Sequence, residues 1–167
     1  MNIKIEKIHQ EKKHVIANLI ELYAHDFSEI TQNPDKFEVD ENGRFGYAHL
    51  NDYWSDANRF AYLIKVEDKI AGFILIRNYS VIEQKEGSFT MAEFFILRKY
   101  RKQSIGKTAA EAVVRLHKGK WEIPVIDSYD IGKLFWENAL HSLVGNNFTT
   151  SFLKNSDWNG MVYSFTV

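Results

Sequence analysis

The chain has 167 residues, 45% hydrophobic and 26% charged, with a net charge of −1. That length suits one domain burying roughly two-thirds of its unfolded surface, and the composition excludes a disordered or repeat protein. No cysteine is present, which rules out disulfides, thiolate metal ligands and a cysteine nucleophile. The balanced charge argues against wholesale binding to nucleic acid or an anionic membrane.

Residues 2–8 (NIKIEKI) alternate polar and apolar and predict a short strand. The N-terminal stretch lacks the continuous apolar core of a secretory signal, and no apolar run approaches the ~20 residues of a membrane span, so a cytoplasmic protein is expected. From about 10 to 30, Val15, Ile16, Leu19, Leu22, Tyr23 and Phe27 fall at helical spacing. The segment punctuated by Asn33-Pro34 and Asn42-Gly43 reads as loop, and HLNDYWSDA as a short helix. RFAYLIKV and IAGFILIR flank a polar turn and predict a hairpin, and SFTMAEFFIL is the next strand. A helix over about 104–118 follows, with an apolar face of Ile105, Ala109, Ala112, Val113 and Leu116 and a stop at Gly119. WEIPVI is a strand interrupted by Pro124, which cannot donate to a ladder and so belongs where a neighbour is missing. Asp127 and Asp130 resemble a capping box opening a helix to about 143, and NNFTTSFLK and GMVYSFTV form a last hairpin around NSDWN. With no internal repeat, residues 1–167 are expected to form one α/β domain.

Between the 88–97 strand and the following helix the chain reads RKYRKQSIGKTA. A helix start presents unpartnered N–H groups and a partial positive charge of about +0.5. Gly106 has no Cβ to obstruct a ligand approaching the backbone. Arg101, Lys102 and Lys107 add full charges. Together these describe a phosphate site, although the stretch is too short for a Walker loop and lacks the three glycines of a dinucleotide fingerprint.

R-K-Q-S-I-G resembles the acyl-CoA signature of the GNAT superfamily of N-acetyltransferases, Arg/Gln-x-x-Gly-x-Gly/Ala. Arg101 matches its first position and Gly106 its last, while Ser104 replaces the middle glycine. Ile96 stands where the family's strand ends in a hydrophobic residue five positions before the arginine, and the order of elements is similar along essentially the whole chain. The resemblance implies a central, mostly antiparallel twisted sheet of six to seven strands flanked by helices, with a splayed cleft between the fourth and fifth strands. It implies acetyl-CoA as cofactor. Backbone donors from Gln103, Ser104, Ile105, Gly106 and Lys107 would hold the pyrophosphate, beside Arg101 and Lys102. The strand backbone at Phe94, Phe95 and Ile96 would pair with the pantetheine arm, and Pro124 fits a strand splayed away to admit it. Ser104 places a Cβ where the family usually has none, so weaker binding is expected, not its loss.

Acetyl transfer to an amine needs a base, and a matched one contributes roughly 10²–10⁴-fold. Glu93, inside the apolar run MAEFFIL, would be desolvated with its pKa raised, which suits that role. The family's usual acid is a tyrosine in Asn-x-x-Ala-x-x-Phe-Tyr, where this chain has YDIGKLFW. Tyr129 stands for the asparagine, Gly132 for the alanine and Trp136 for the tyrosine. An indole N–H does not protonate a thiolate, so Trp136 walls the thioester pocket or packs in the core, and Tyr129 is the alternative acid. The six histidines show no metal-ligand spacing. Asp35, Glu38, Asp40 and Glu41, near Phe37, Tyr47, Tyr53 and Trp54, are either a solvated loop or an attractor for a cationic amine. The expected activity is an N-acetyltransferase acting on an amine, as a monomer or homodimer. A GNAT-like module that binds acyl-CoA without turnover is the alternative, kept open by Ser104, Tyr129 and Trp136.

Overall fold

The computed structural model describes residues 1–31, 34–155 and 158–167. Asn33 of the expected break, and Ser156 and Asp157 of the last hairpin's turn, lie outside them. In chain order the elements are β1 (Ile3–Lys7), α1 (Lys13–Ser28), α2 (Asp52–Ser55), β2 (Arg59–Val66), β3 (Lys69–Asn78), β4 (Phe89–Ile96), α3 (Ile105–Leu116), β5 (Lys120–Ile126), α4 (Asp130–Val144), β6 (Phe148–Lys154) and β7 (Asn159–Thr166). The strands make one seven-stranded sheet in the order β1-β2-β3-β4-β5-β7-β6. All neighbours are antiparallel except β4 and β5, whose parallel pairing requires the α3 crossover between them.

Alternation along the strands divides the apolar residues between two layers. On one face Ile74, Ile76, Met91, Ile96, Trp121 and Ile123 pack against α3 and α4. On the other Leu63, Phe73, Leu75 and Phe95 pack against α1 and Tyr53 of α2. Three expectations are corrected at the level of faces and caps. Leu22 of α1 is exposed, and Ile16, Leu19, Ile20 and Ala24 bury instead. Leu116 ends α3 exposed, while Ala110 and Val114 join Ile105, Ala109 and Val113 in the core. The capping box does not form: Tyr129 is the N-cap of α4 with no side-chain cap, because Lys133 pairs with Asp130 at 2.7 Å and with Asp127 at 3.6 Å.

The β2–β3 hairpin turns on Glu67 and Asp68, both at positive φ (48° and 63°). Each finds local compensation there, Glu67 accepting the Asn2 N–H at 2.7 Å and Asp68 pairing with Lys4 at 2.7 Å.

Candidate active site

Along one side β4 is bonded to β3 from Gly72↔Ile96 to Asn78↔Phe89. On its other side it pairs with β5 only at Phe89↔Trp121 and Thr90↔Glu122. From Met91 to Ile96 that edge faces a cleft. Pro124 lies beyond the last β4 pair and opposes Val162 of β7, so the ladder bond it cannot donate is not needed on the β4 side. A bulge between Leu75 and Ile76 matches Leu75 with Glu93 and Ile76 with Met91, leaving Ala92 unmatched; such bulges bend a strand and re-aim its side chains.

The basic turn leaves the end of β4. Lys102 and Ser104 have left-handed backbones (φ 60° and 59°), which curls the chain ahead of α3. As a result the N–H groups of residues 102 to 107 find no hydrogen-bond acceptor among the described residues; the first amide of the segment to do so is Thr108, bonded to Ser104 O at 3.0 Å. Six consecutive free donors at a helix start, with the side chains of Lys102 and Lys107, make a cradle for an anion.

Two arginines join the turn to α1. Arg98 and Arg101 both grip Asp26 of α1, each at 2.6 Å, and Arg101 Nε also donates to Ile96 O at 2.8 Å. Burial pushes the Asp26 carboxyl up, but the two guanidinium hydrogen bonds outweigh it and hold the group below the usual carboxylate range. Of the three charges read as anion-binding, that of Arg101 therefore ties the turn to α1, and the Ile96 carbonyl is engaged within the protein. Gly106 also differs. A Cβ there would meet the Phe135 ring at 3.2 Å and Ile96 Cγ1 at 3.5 Å, so the glycine lets α3 pack closely on α4 and β4.

Glu93 points to the α1 side of the sheet. Tyr23 Oη donates to its Oε2 at 2.6 Å and Tyr47 Oη to its Oε1 at 3.0 Å. Burial pushes the carboxyl up, while the two phenol hydrogen bonds and the Arg77 charge draw it part of the way back. The phenols move the other way: burial and the neighbouring carboxylate raise Tyr23 and Tyr47 far above an ordinary tyrosine, so neither is an acid at neutral pH. Of the acidic loop, Asp40 turns onto its own backbone, accepting from Asn42 N–H at 2.8 Å and Arg44 N–H at 2.9 Å. Of the aromatic residues near that loop, Tyr47 reaches Glu93, while Trp54 donates to Ile8 O at 2.9 Å and Phe37 packs on Phe27.

On the opposite face Phe94 stacks on Phe135 (5.7 Å between centroids) and meets Trp136 edge-on at 5.0 Å. Trp136 is buried in the α3–α4 core. Tyr129 sits at the start of α4, edge-on to Phe27 at 6.2 Å, and its hydroxyl makes no hydrogen bond among the described residues. A Cβ on Gly132 would lie 2.3 Å from the Tyr129 ring. Two of the three departures in YDIGKLFW, Tyr129 and Gly132, are therefore one: the phenol fills the space an alanine methyl would take.

The structure thus gathers Glu93, Phe94, Phe95, Tyr129 and the 102–107 amides around the β4 edge and the cleft it opens. Reading the residues missed Asp26 and the Tyr23–Glu93 contact. Tyr23, Asp26 and Phe27 share one helix face, and a lone aspartate in that apolar stripe is the signal that marks it as facing a cation. Among the described residues no group of three or more metal-ligating side chains could hold a metal ion.

A family model described as Acetyltransferase (GNAT) family matches residues 16–128. Among curated proteins no sequence match is found. Solved structures share the fold at low identity. An acetyltransferase from Thermus thermophilus is 12% identical over 100% of this chain and 98% of that one, with a TM-score of 0.71. The PaiA N-acetyltransferase from Thermoplasma acidophilum, in complex with coenzyme A, is 13% identical over 100% of both chains, TM-score 0.64. An aminoglycoside acetyltransferase, also in complex with coenzyme A, is 9% identical over 99% of this chain and 95% of that one, TM-score 0.68.

Proposed function

The chain belongs to the GNAT family of acetyltransferases and uses acetyl-CoA, and on that premise we propose that it acetylates a primary amine, with Glu93 as base and the 102–107 amides holding the cofactor's pyrophosphate. Six adjacent N–H groups without acceptors among the described residues are the observation that carries this reading. The residues fit the cofactor in two further respects: the β4 edge at Phe94 and Phe95 offers backbone groups to an extended arm, and Lys102 and Lys107 supply charge beside the amides. Acetyl-CoA brings the acetyl group already activated as a thioester.

The chain's own residues handle protons and water. A carboxylate has about four acceptor sites, and Tyr23 and Tyr47 occupy two, so Glu93 keeps room to take the proton the amine loses as the amide bond forms. Burial raises its basicity toward working pH. Tyr129, whose hydroxyl makes no hydrogen bond among the described residues, would be the donor to the leaving thiolate. Phe94, Phe135 and Trp136 keep that face of β4 dry. The reading takes residues 1–167 as one cytoplasmic domain; among the described residues no helix is long and apolar enough to cross a membrane.

Calorimetric titration with acetyl-CoA tests this with two variants. Lys107→Ala removes one charge. Lys107→Pro removes the same charge and one free N–H, at a first-turn position where proline is tolerated. Micromolar binding is expected for the wild type, with a further loss of roughly tenfold or more from Ala to Pro, the size of one hydrogen bond to a charged group. Absence of binding at millimolar acetyl-CoA would overturn the reading.

A further inference from the structure

On the Glu93 face of the sheet, a cavity of about 570 Å³ lies between the end of α2, Arg59, Arg77, the β3–β4 loop and Trp158. Two of its lining residues carry buried polar atoms with no partner among the described residues, Arg77 Nε and Trp158 Nε1. Both are N–H donors, so a group made only of acceptors would satisfy them. The lining carries two arginines, Arg59 and Arg77, and two carboxylates, Asp56 and Glu86. Arg59, directly opposite Arg77 on β2, is neutralised by Asp52 at 3.6 Å and Asp56 at 3.4 Å. Glu86 accepts from Asn58 Nδ2 at 2.9 Å. Arg77 lies over the Tyr79 ring at 5.4 Å and has no ion pair among the described residues.

Arg77 is also placed relative to the proposed base. Leu75 opposes Glu93, and Arg77 is two residues further along β3 on the same face. Such diagonal positions are roughly 7–8 Å apart. An amine at Glu93 and an oxyanion at Arg77 thus belong to one small molecule.

We infer that the acceptor is a small amine bearing an oxyanion, a carboxylate or a phosphate, held by the Arg77 guanidinium and the Trp158 indole N–H. This rests on the acetyltransferase reading of the same site. Of the two readings of the acidic loop, it sets aside the attractor for a cationic amine, because the cation beside Glu93, Arg77, has no ion pair among the described residues. Guanidinium forks suit oxyanions, and pairing with Arg77 would fix the amine's distance from Glu93.

The test is a paired titration followed by the Trp158 indole resonance in ¹H–¹⁵N spectra, assigned with Trp158→Phe. β-Alanine is compared with β-alaninamide, and phosphoethanolamine with ethanolamine. The anionic member of at least one pair is expected to bind tenfold or more tightly than its partner. Arg77→Gln should erase that preference and Arg77→Lys restore part of it. Whichever pair shows the larger difference identifies carboxylate or phosphate. Equal binding of the anion-free partners, no binding by any of the four, or a preference that survives Arg77→Gln overturns the inference. Thiol release from acetyl-CoA with the same four amines reads transfer separately. An anion-dependent shift with no thiol release from any amine would overturn the assignment of this cavity to the acceptor, while acetyl-CoA calorimetry would still decide the cofactor site.

Discussion

Ser104 holds φ 59° and ψ 2° immediately before α3, and its side chain makes no capping hydrogen bond. The left-handed region costs an L-residue roughly 1–2 kcal/mol and glycine almost nothing. Part of that gain returns as entropy of the unfolded chain, so Ser104→Gly should stabilise the protein by about 1 kcal/mol, a Tm rise of roughly 2–4 °C. Differential scanning calorimetry checks it, and a lower Tm would mean the hydroxyl has a structural partner. Glu93 presents the opposite trade. Its folded pKa is raised by burial, so the native state holds this proton more tightly than the unfolded chain does. The stability it contributes is full below the unfolded value, and is lost as pH rises through the raised folded one. Glu93→Gln does not titrate. Its Tm relative to wild type should therefore climb across that window, while kcat/KM at neutral pH falls roughly 10²–10⁴-fold. The acidic limb of the wild-type rate profile should sit above the ordinary carboxylate range and vanish in the variant. A variant of full activity would remove Glu93 from the chemistry.

At the scale of elements, the strands and long helices were legible because period-two and period-3.6 patterns are set by local burial. Their ends and caps were not. The Asp127–Asp130 spacing matches a capping box, but a lysine one turn into α4 reaches both carboxylates, and no sequence pattern ranks that competition. The start of α4 is instead built by Tyr129 lying across Gly132. Replacing a helical glycine by alanine ordinarily stabilises by about 1 kcal/mol. Here the new methyl would lie 2.3 Å from a ring carbon, and overpacking of this kind costs about 1–3 kcal/mol. Gly132→Ala is thus expected to destabilise, and Tyr129→Ala to make the same substitution favourable. Urea unfolding of the two single variants and the double variant gives the coupling directly. Additivity within about 0.5 kcal/mol would mean the ring simply swings away.

At the scale of the molecule, the mostly antiparallel sheet and the cleft between its fourth and fifth strands followed from the resemblance to the GNAT superfamily, whereas the strand order was not read from the sequence. What joins the two halves of the sheet could not be read there either, since a buried acid in WEIPVI reads like any strand residue until its partners are known. β4 and β5 share only two residue pairs. Beside them the buried Glu122 of β5 takes three hydrogen bonds from the β3–β4 loop: Ser80 Oγ at 2.5 Å, Val81 N–H at 2.6 Å and Ile82 N–H at 3.3 Å. All three end on one carboxylate, which ties the loop to β5 across the closed end of the cleft. Val81 also lines the cavity assigned to the acceptor. Removing the carboxylate leaves buried donors unsatisfied, and Glu122→Ala is expected to destabilise by about 2–3 kcal/mol, with Glu122→Gln keeping part of it through its carbonyl oxygen. Hydrogen exchange locates the damage. The Val81 and Ile82 amides should exchange faster in Glu122→Ala under native conditions, while those of the β1–β2 pair stay protected, because β3 and β4 separate β1 and β2 from β5 in the sheet. Faster exchange confined to those amides would make Glu122 the clasp that sets the cleft's closed end; uniform loss across the sheet would make it a core residue whose removal loosens the whole fold.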